Sequence, residues 1–217
     1  MSKRLYTIYG MVPFSTAADI GADHGKLMIA LFETGKIPHG YAVENKKGPY
    51  NRLVKALEER NLEEDIVPLF SDGISDIPDA VSTLIIAGMG GGLIIDILKA
   101  HPEKLKYVDT IIVDPHNQVP EVREYLSSIG FVIAEEKIIR EDGIYYEIIK
   151  FIKGDVAFLS DKDLEFGPLL RTEKSVTFRE KYSSRIDQIN HLLENKSLPE
   201  EKVNSLLQEK TRIENVL

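Results

Sequence analysis

Two carboxylates frame the glycine turn of ADIGADHGKL, residues 17–26: Asp19 closes an apolar run, and Asp23 sits in the turn between Gly21 and Gly25. A turn of this kind between a strand and a helix binds a cofactor when its backbone comes close to the ligand. The diphosphate of a dinucleotide wants glycine and bare N–H groups at the middle position, and the Asp23 carboxylate repels it. The same carboxylates attract a ligand that has positive charge and no phosphate there. S-adenosylmethionine, with its sulfonium and its amino group, is such a ligand. Asp19, Gly21, Asp23, His24 and Gly25 are therefore candidate cofactor contacts. Capping of the following helix is the competing use of Asp23.

Further groups recur where apolar runs end. Glu44 lies nineteen residues beyond Gly25, the spacing at which an acid accepts from ribose hydroxyls, although an acid at a strand end can simply be solvated. Asp72 and Gly73, in SDG, offer an acceptor for an adenine amine or, equally cheaply, an Asx turn. In AGMGGGLI, Gly88, Gly90, Gly91 and Gly92 surround Met89. Such a density suits neither a helix interior nor a strand and points to unusual φ or to close approach by another group. Asp114, His116 and Asn117, in DPHNQ, place polar groups where a substrate base would sit, with His116 a candidate general base and Asp114 a source of negative potential.

These groups need strands to carry them. Apolar runs at 16–20, 40–44, 66–71, 83–87 and 110–114 alternate with amphipathic stretches such as GPYNRLVKALEERN, the pattern of a parallel sheet with helical crossovers. Runs at 131–139 and 145–152 are separated by little more than Asp142-Gly143, a hairpin signal, so the sheet is expected to end in an antiparallel pair. The expected fold is α/β: a doubly wound, mostly parallel, seven-stranded Rossmann-like sheet over residues 1–154. From 155 to 217 the texture changes to two long polar helices, over 172–195 and 200–217, joined through NKSLP as an antiparallel, coiled-coil-like hairpin.

With 43% hydrophobic residues among 217, the chain can build a sizeable core. It has no Cys, and its five His show no ligand spacing, so no metal site is expected and a reducing, cytoplasmic setting fits. The start, MSKRLYTIYGMVPF, has no signal-peptide pattern, and no apolar run is long enough to span a membrane, so a soluble, unprocessed chain is expected. A net charge of −8 argues against nonspecific coating of nucleic acid.

In order and spacing, ADIGADHGKL, ENKKGPY, IAGMGGGLIIDIL, VREYLSSIGFVIAEEKIIREDGIYYEIIK and FGPLLRTEKSVTFREKY resemble the bacterial tRNA (adenine-N1)-methyltransferases that act on adenosine 22, over nearly the whole chain. The resemblance implies S-adenosylmethionine as methyl donor, an N-terminal catalytic domain and a C-terminal helical domain that helps to bind tRNA. One departure stands out: where the family usually reads Gln-Pro-Asn, this chain has Asp114-Pro115-His116, and an ionised Asp can only accept hydrogen bonds. Adenine N1 keeps a free lone pair, so methylation there needs positioning and electrostatic support more than a base. Tyr50 and Met89 are candidates to pack against the base. Arg171, Lys174, Arg179, Lys181 and Arg185, against Glu173 and Glu180, make a local excess of three positive charges suited to RNA, with Lys3 and Arg4 as additions. Two other readings remain open at this point: an NAD-dependent oxidoreductase, and a non-enzymatic metabolite sensor that docks a partner through its helices.

Overall fold

The structure is a computed structural model that describes residues 1–156 and 158–217. Seven strands form one sheet: β1 (Ala17–Ile20), β2 (Gly40–Glu44), β3 (Ile66–Phe70), β4 (Thr83–Met89), β5 (Thr110–Pro115), β6 (Phe131–Glu141) and β7 (Ile144–Lys153), in the order β3-β2-β1-β4-β5-β7-β6. The first five run parallel, and β7 is antiparallel to both β5 and β6. Helices α2 (Lys26–Glu33), α3 (Lys47–Glu58), α4 (Gly91–Ala100) and α5 (Val119–Ser128) supply crossovers, as the alternating pattern requires. The β6–β7 turn is Asp142-Gly143, both at positive φ, and Glu141 pairs directly with Ile144.

Both faces of the sheet are covered, which is why its strands read as near-continuous apolar runs. Leu84, Ile86, Ile111 and Val113 point to one face and pack with Ile94, Leu98, Val122 and Leu126 of α4 and α5. Ile85 and Ile112 point to the other and pack with Leu27, Met28 and Leu31 of α2 and Leu53 and Leu57 of α3. That second face also takes Ile8 and Met11 of α1 (Lys3–Met11). Helix α1 was not expected; Ser2 caps it by accepting the Leu5 N–H at 3.2 Å.

Beyond β7 the described residues form four helices: α6 (Asp161–Phe166), α7 (Leu170–Glu173), α8 (Val176–Leu193) and α9 (Glu200–Glu214). The expected helix over 172–195 starts later because Lys174 turns left-handed and ends α7, after which Ser175 caps α8 by accepting the Phe178 N–H. Helices α8 and α9 pack against each other around Phe178, Tyr182, Ile189, Leu206 and Ile213, a core separate from those of the sheet, to which Ile138 of β6 also contributes.

A buried charge cluster joins this region to the sheet. Arg123 of α5, fully buried, donates to Glu136 of β6 at 2.9 Å, to Glu147 of β7 at 2.5 Å and to the Leu164 carbonyl of α6 at 2.9 Å. Glu136 also accepts the Leu169 N–H, and Lys181 of α8 pairs with Glu147. Burial alone would raise the Glu147 carboxyl, but Lys181 and Arg123 outweigh it and bring it down to about 2. Among the described residues no helix is long and apolar enough to cross a membrane.

Candidate active site

In a sheet of this order the chain steps outward from β1 to β2 and β3, then returns to place β4 on the other side of β1. The crevice beyond the carboxyl ends of β1 and β4 is where such sheets take ligands. Two clefts meet there. The larger, of about 350 Å³, is walled by Gly21, Glu44, Asn45, Asp72, Gly73 and Met89, among others; the smaller, of about 190 Å³, by Arg4, Asp19, His24 and Ala87. Gly21 and Asp23 line both, so one elongated ligand can run across the β1 turn from one cleft into the other.

The β1 turn is held from below. Gly21 donates its N–H to the Val43 carbonyl, and the Asp23 N–H donates to Glu44 Oε1 at 2.7 Å. The N–H that a diphosphate would need is thus already bound to a carboxylate. The Asp23 side chain does not cap α2: Gly25 occupies the cap position in a left-handed conformation, without a side-chain bond. Asp23 instead pairs with Arg52 at 3.0 Å and lies 3.6 Å from His24. This shifts the electrostatic reading. Half-exposed and already paired, Asp23 attracts a cation weakly, whereas Asp19 (6% exposed) and Glu44 (8% exposed) carry the buried negative potential. Burial first, and then the neighbouring Glu44, push the Asp19 carboxyl up to about 7, against the pull of Arg4.

At the far end of the larger cleft, Asp72 Oδ1 accepts from Asn45 Nδ2 at 2.9 Å, tying the loops after β2 and β3 together. This contact takes the place of the Asx-turn reading. The glycine cluster divides by role. Strand β4 continues through Gly88 to Met89, Gly90 caps α4, and Gly91 and Gly92 form that helix's first turn. Its first N–H groups are satisfied from the β5–α5 loop: Asn117 Oδ1 accepts from Gly91 at 3.0 Å and Gln118 Oε1 from Gly92 at 3.1 Å. A β-carbon on Gly91 would stand 2.6 Å from the Asn117 carbonyl oxygen, so close approach is the reason for glycine there. Part of Asn117, expected at the substrate, is therefore committed to holding α4.

Beside the smaller cleft, at the end of β5, Asp114 is completely buried, and its Oδ2 accepts from Arg4 Nη1 at 2.9 Å. Desolvation raises the Asp114 carboxyl, while Arg4, His116 and the Gly88 N–H hold it back. His116 donates its backbone N–H to the Met89 carbonyl; its Nε2 lies 3.4 Å from Arg4, and its ring faces Tyr146 of β7 edge-on. Arg4 was expected to add to an RNA surface, but the structure turns it inward onto Asp114. Tyr50, expected near the substrate base, instead sits with Phe70 at the β3 edge, with β2 and β1 between it and β4. Met89 reaches towards Gly21 and walls the larger cleft.

The basic run of the C-terminal helices is less free than its sequence implied. Arg171 pairs with Asp163 at 2.6 Å, Arg185 bonds both oxygens of Glu209, and Lys181 belongs to the buried cluster. Lys174 and Arg179 bond main-chain oxygens, of Leu217 and Lys174. Sequence reasoning also missed Asn45, Gln118 and the Arg123 cluster, and misplaced Arg4, because the partner of each is set by tertiary structure.

The sequence profile of the tRNA (adenine(22)-N(1))-methyltransferase family matches residues 17–216. The chain belongs to this family. A Bacillus subtilis tRNA (adenine(22)-N(1))-methyltransferase is 30% identical over 207 residues, 89% of this chain and 84% of that protein. A solved structure of a Streptococcus pneumoniae protein, a candidate tRNA (m1A22) methyltransferase in complex with S-adenosyl-L-methionine, superposes with a TM-score of 0.92 at 34% identity and covers 100% of this chain and 99% of its own. The crystal structure of the B. subtilis m1A22 tRNA methyltransferase superposes with a TM-score of 0.88 at 27% identity, covering 100% and 98%. The sheet order, with its antiparallel end, is thus a methyltransferase sheet, and the family is S-adenosylmethionine-dependent.

Proposed function

We propose that this chain transfers a methyl group from S-adenosylmethionine to N1 of adenosine 22 in tRNA. The observation that carries the reading is the pair of buried carboxylates, Asp19 and Glu44, at the switch-point crevice of a chain of this family. The oxidoreductase alternative loses ground at the same place, because Glu44 already takes the Asp23 N–H that a dinucleotide's diphosphate would need.

When bound, S-adenosylmethionine supplies an electrophilic methyl carbon on a sulfonium. Glu44 is suited to accept from the ribose hydroxyls, Asp72 and Asn45 to bond the adenine edge, and Asp19 to face the cationic methionine end through the smaller cleft. The N1 lone pair of the target adenine forms the new N–C bond as the C–S bond breaks and its electrons pass to sulfur. No proton leaves N1, so neither His116 nor Asp114 must act as a base. What the site contributes is alignment and a negative environment for a base that becomes cationic.

Residues 155–217 are proposed to contact tRNA, with Lys174 and Arg179 the cations of the run least engaged by carboxylates and the Arg123 cluster fixing the helices against the sheet. N1 lies on the pairing edge of adenine, so the base must enter the site unpaired or flipped. Incubation with methyl-labelled donor and a tRNA transcript, followed by nucleoside mapping, is expected to give 1-methyladenosine at position 22 alone. Label at another nucleoside, or none, would overturn the assignment.

A further inference from the structure

Beside the smaller cleft, reached from it through Arg4, lies an arrangement that the methyl-donor site does not require. Asp114 is fully buried, and its Oδ1 has no hydrogen-bond partner, one of only two such side-chain atoms among the described residues. A buried carboxylate oxygen left unpaired is costly, a cost that persists where function uses the group. The other oxygen is covered by Arg4, the one charged side chain that α1 sends into the site. The guanidinium lies against Gly88, whose φ is +77°; a β-carbon there would come within 3.0 Å of Arg4 Nη1. Tyr146 flanks it, with 5.4 Å from Cζ to the ring centroid, and His116 lies on a further side. A planar group that donates N–H to Asp114, rests on a glycine and is bordered by rings occupies the ends of β4 and β5. That is where the acceptor base must lie if the donor runs along the ends of β1 and β2.

We propose that the Asp114 carboxylate reads the exocyclic amine of the target adenine, and that Arg4 is a stand-in donor that holds Asp114 ready until the base takes its place. This rests on adenine being the methyl acceptor. The amine N6–H and the reacting N1 are adjacent on one edge of the base, so a carboxylate that accepts N6–H also fixes the direction of N1. The contact strengthens during the reaction. As N1 gains the methyl group, positive charge spreads over the ring, N6–H becomes a stronger donor, and its bond to a carboxylate favours the transition state over the ground state. The ionised carboxylate is the form that accepts most strongly and that offsets the cation as it develops. Three groups act on it: Arg4 of α1, His116 after β5 and the Gly88 N–H of β4, while Tyr146 of β7 flanks Arg4. Of these Arg4 carries the full positive charge, so it is the positioning residue that offsets burial. A guanine presents an oxygen at this position and is repelled, which makes the contact selective as well as orienting.

Two arms test the proposal, both at saturating donor because Arg4 also acts on Asp19. The first keeps the native enzyme and changes the base. A tRNA with purine riboside at position 22, which lacks the amine, is expected to lose at least 30-fold in kcat after correction for its nucleophilicity towards a simple alkylating agent. A loss below threefold overturns the proposal. The second compares Arg4→Met and Arg4→Lys, with donor affinity measured directly in each. Arg4→Met is expected to move the acidic limb of the pH profile of kcat/KM for tRNA upward by a unit or more and to recover activity as pH is raised, while Arg4→Lys stays near the native profile. A loss in Arg4→Met that is equal at every pH assigns Arg4 to structure alone and refutes the stand-in role. Absence of methylation at position 22 of unmodified tRNA by the native enzyme would sink the proposed activity itself, a different failure from indifference to the amine.

Discussion

Asp19 should make donor binding depend on pH within the neutral range. Its carboxyl stands near 7 in the ligand-free protein because it is buried beside Glu44, with Arg4 only partly compensating. A cationic donor favours the ionised form, so binding must expel whatever proton Asp19 holds. With a pKa of about 7, roughly one tenth of the molecules hold that proton at pH 8 and roughly nine tenths at pH 6, so the apparent Kd for S-adenosylmethionine should rise about tenfold between them. At pH 7 about half a proton should be released per donor bound, measurable by calorimetry in buffers of different ionisation enthalpy. The sign for stability runs the other way from an ordinary salt-bridged acid. The folded pKa lies above the unfolded one, so Asp19 costs the empty protein stability progressively as pH rises from about 4 to about 7. Asp19→Asn should therefore bind donor more weakly and without this pH dependence, yet be more stable when empty at pH 8, by up to about 4 kcal/mol. A donor affinity that is flat from pH 6 to 8 in the native protein, or an equal slope in Asp19→Asn, would refute the reasoning.

Glu44→Ala removes both a ribose acceptor and the anchor of the Asp23 N–H, and should weaken donor binding by about 1.5–3 kcal/mol; an unchanged calorimetric Kd would contradict this placement. Arg123→Met leaves the buried Glu136 without a cation and Glu147 with Lys181 alone, and should destabilise the protein by about 3–5 kcal/mol in urea titrations, whereas a cost below about 1 kcal/mol would show the cluster to be dispensable. Arg179→Ala should raise KM for tRNA and lower the slope of log affinity against log salt by about 1, with donor affinity unchanged; an unaltered slope would remove Arg179 from the interface.

Strands and their order were legible because each run is short, apolar and closed by polar punctuation, and because Asp142-Gly143 permits the tight turn that forces β6 and β7 antiparallel. Helix α1 was not legible. KRLYTIYGM mixes glycine, threonine and aromatic residues, and its position is set by burying Ile8 and Met11 on the sheet. The β1 turn was singled out from Asp19 and Asp23, but spacing does not report burial, and burial decides which carboxylate carries the potential. Cations misled for the same reason. Arg4 was expected at an RNA surface and Arg123 was given no role, while their partners stand 110, 13 and 24 residues away along the chain. The glycines after β4 were read as a place of close approach, but what approaches, Asn117 and Gln118, is fixed only once β5 lies beside β4.

A crystal structure of this protein with S-adenosylmethionine offers the most direct check. The expected density places the adenosyl group in the larger cleft with ribose hydroxyls on Glu44, the amino acid end beside Asp19, and the methyl group directed towards Gly88 and Asp114. Density for the donor outside these two clefts, or a methyl group pointing away from Asp114, would contradict the proposed chemistry at its root.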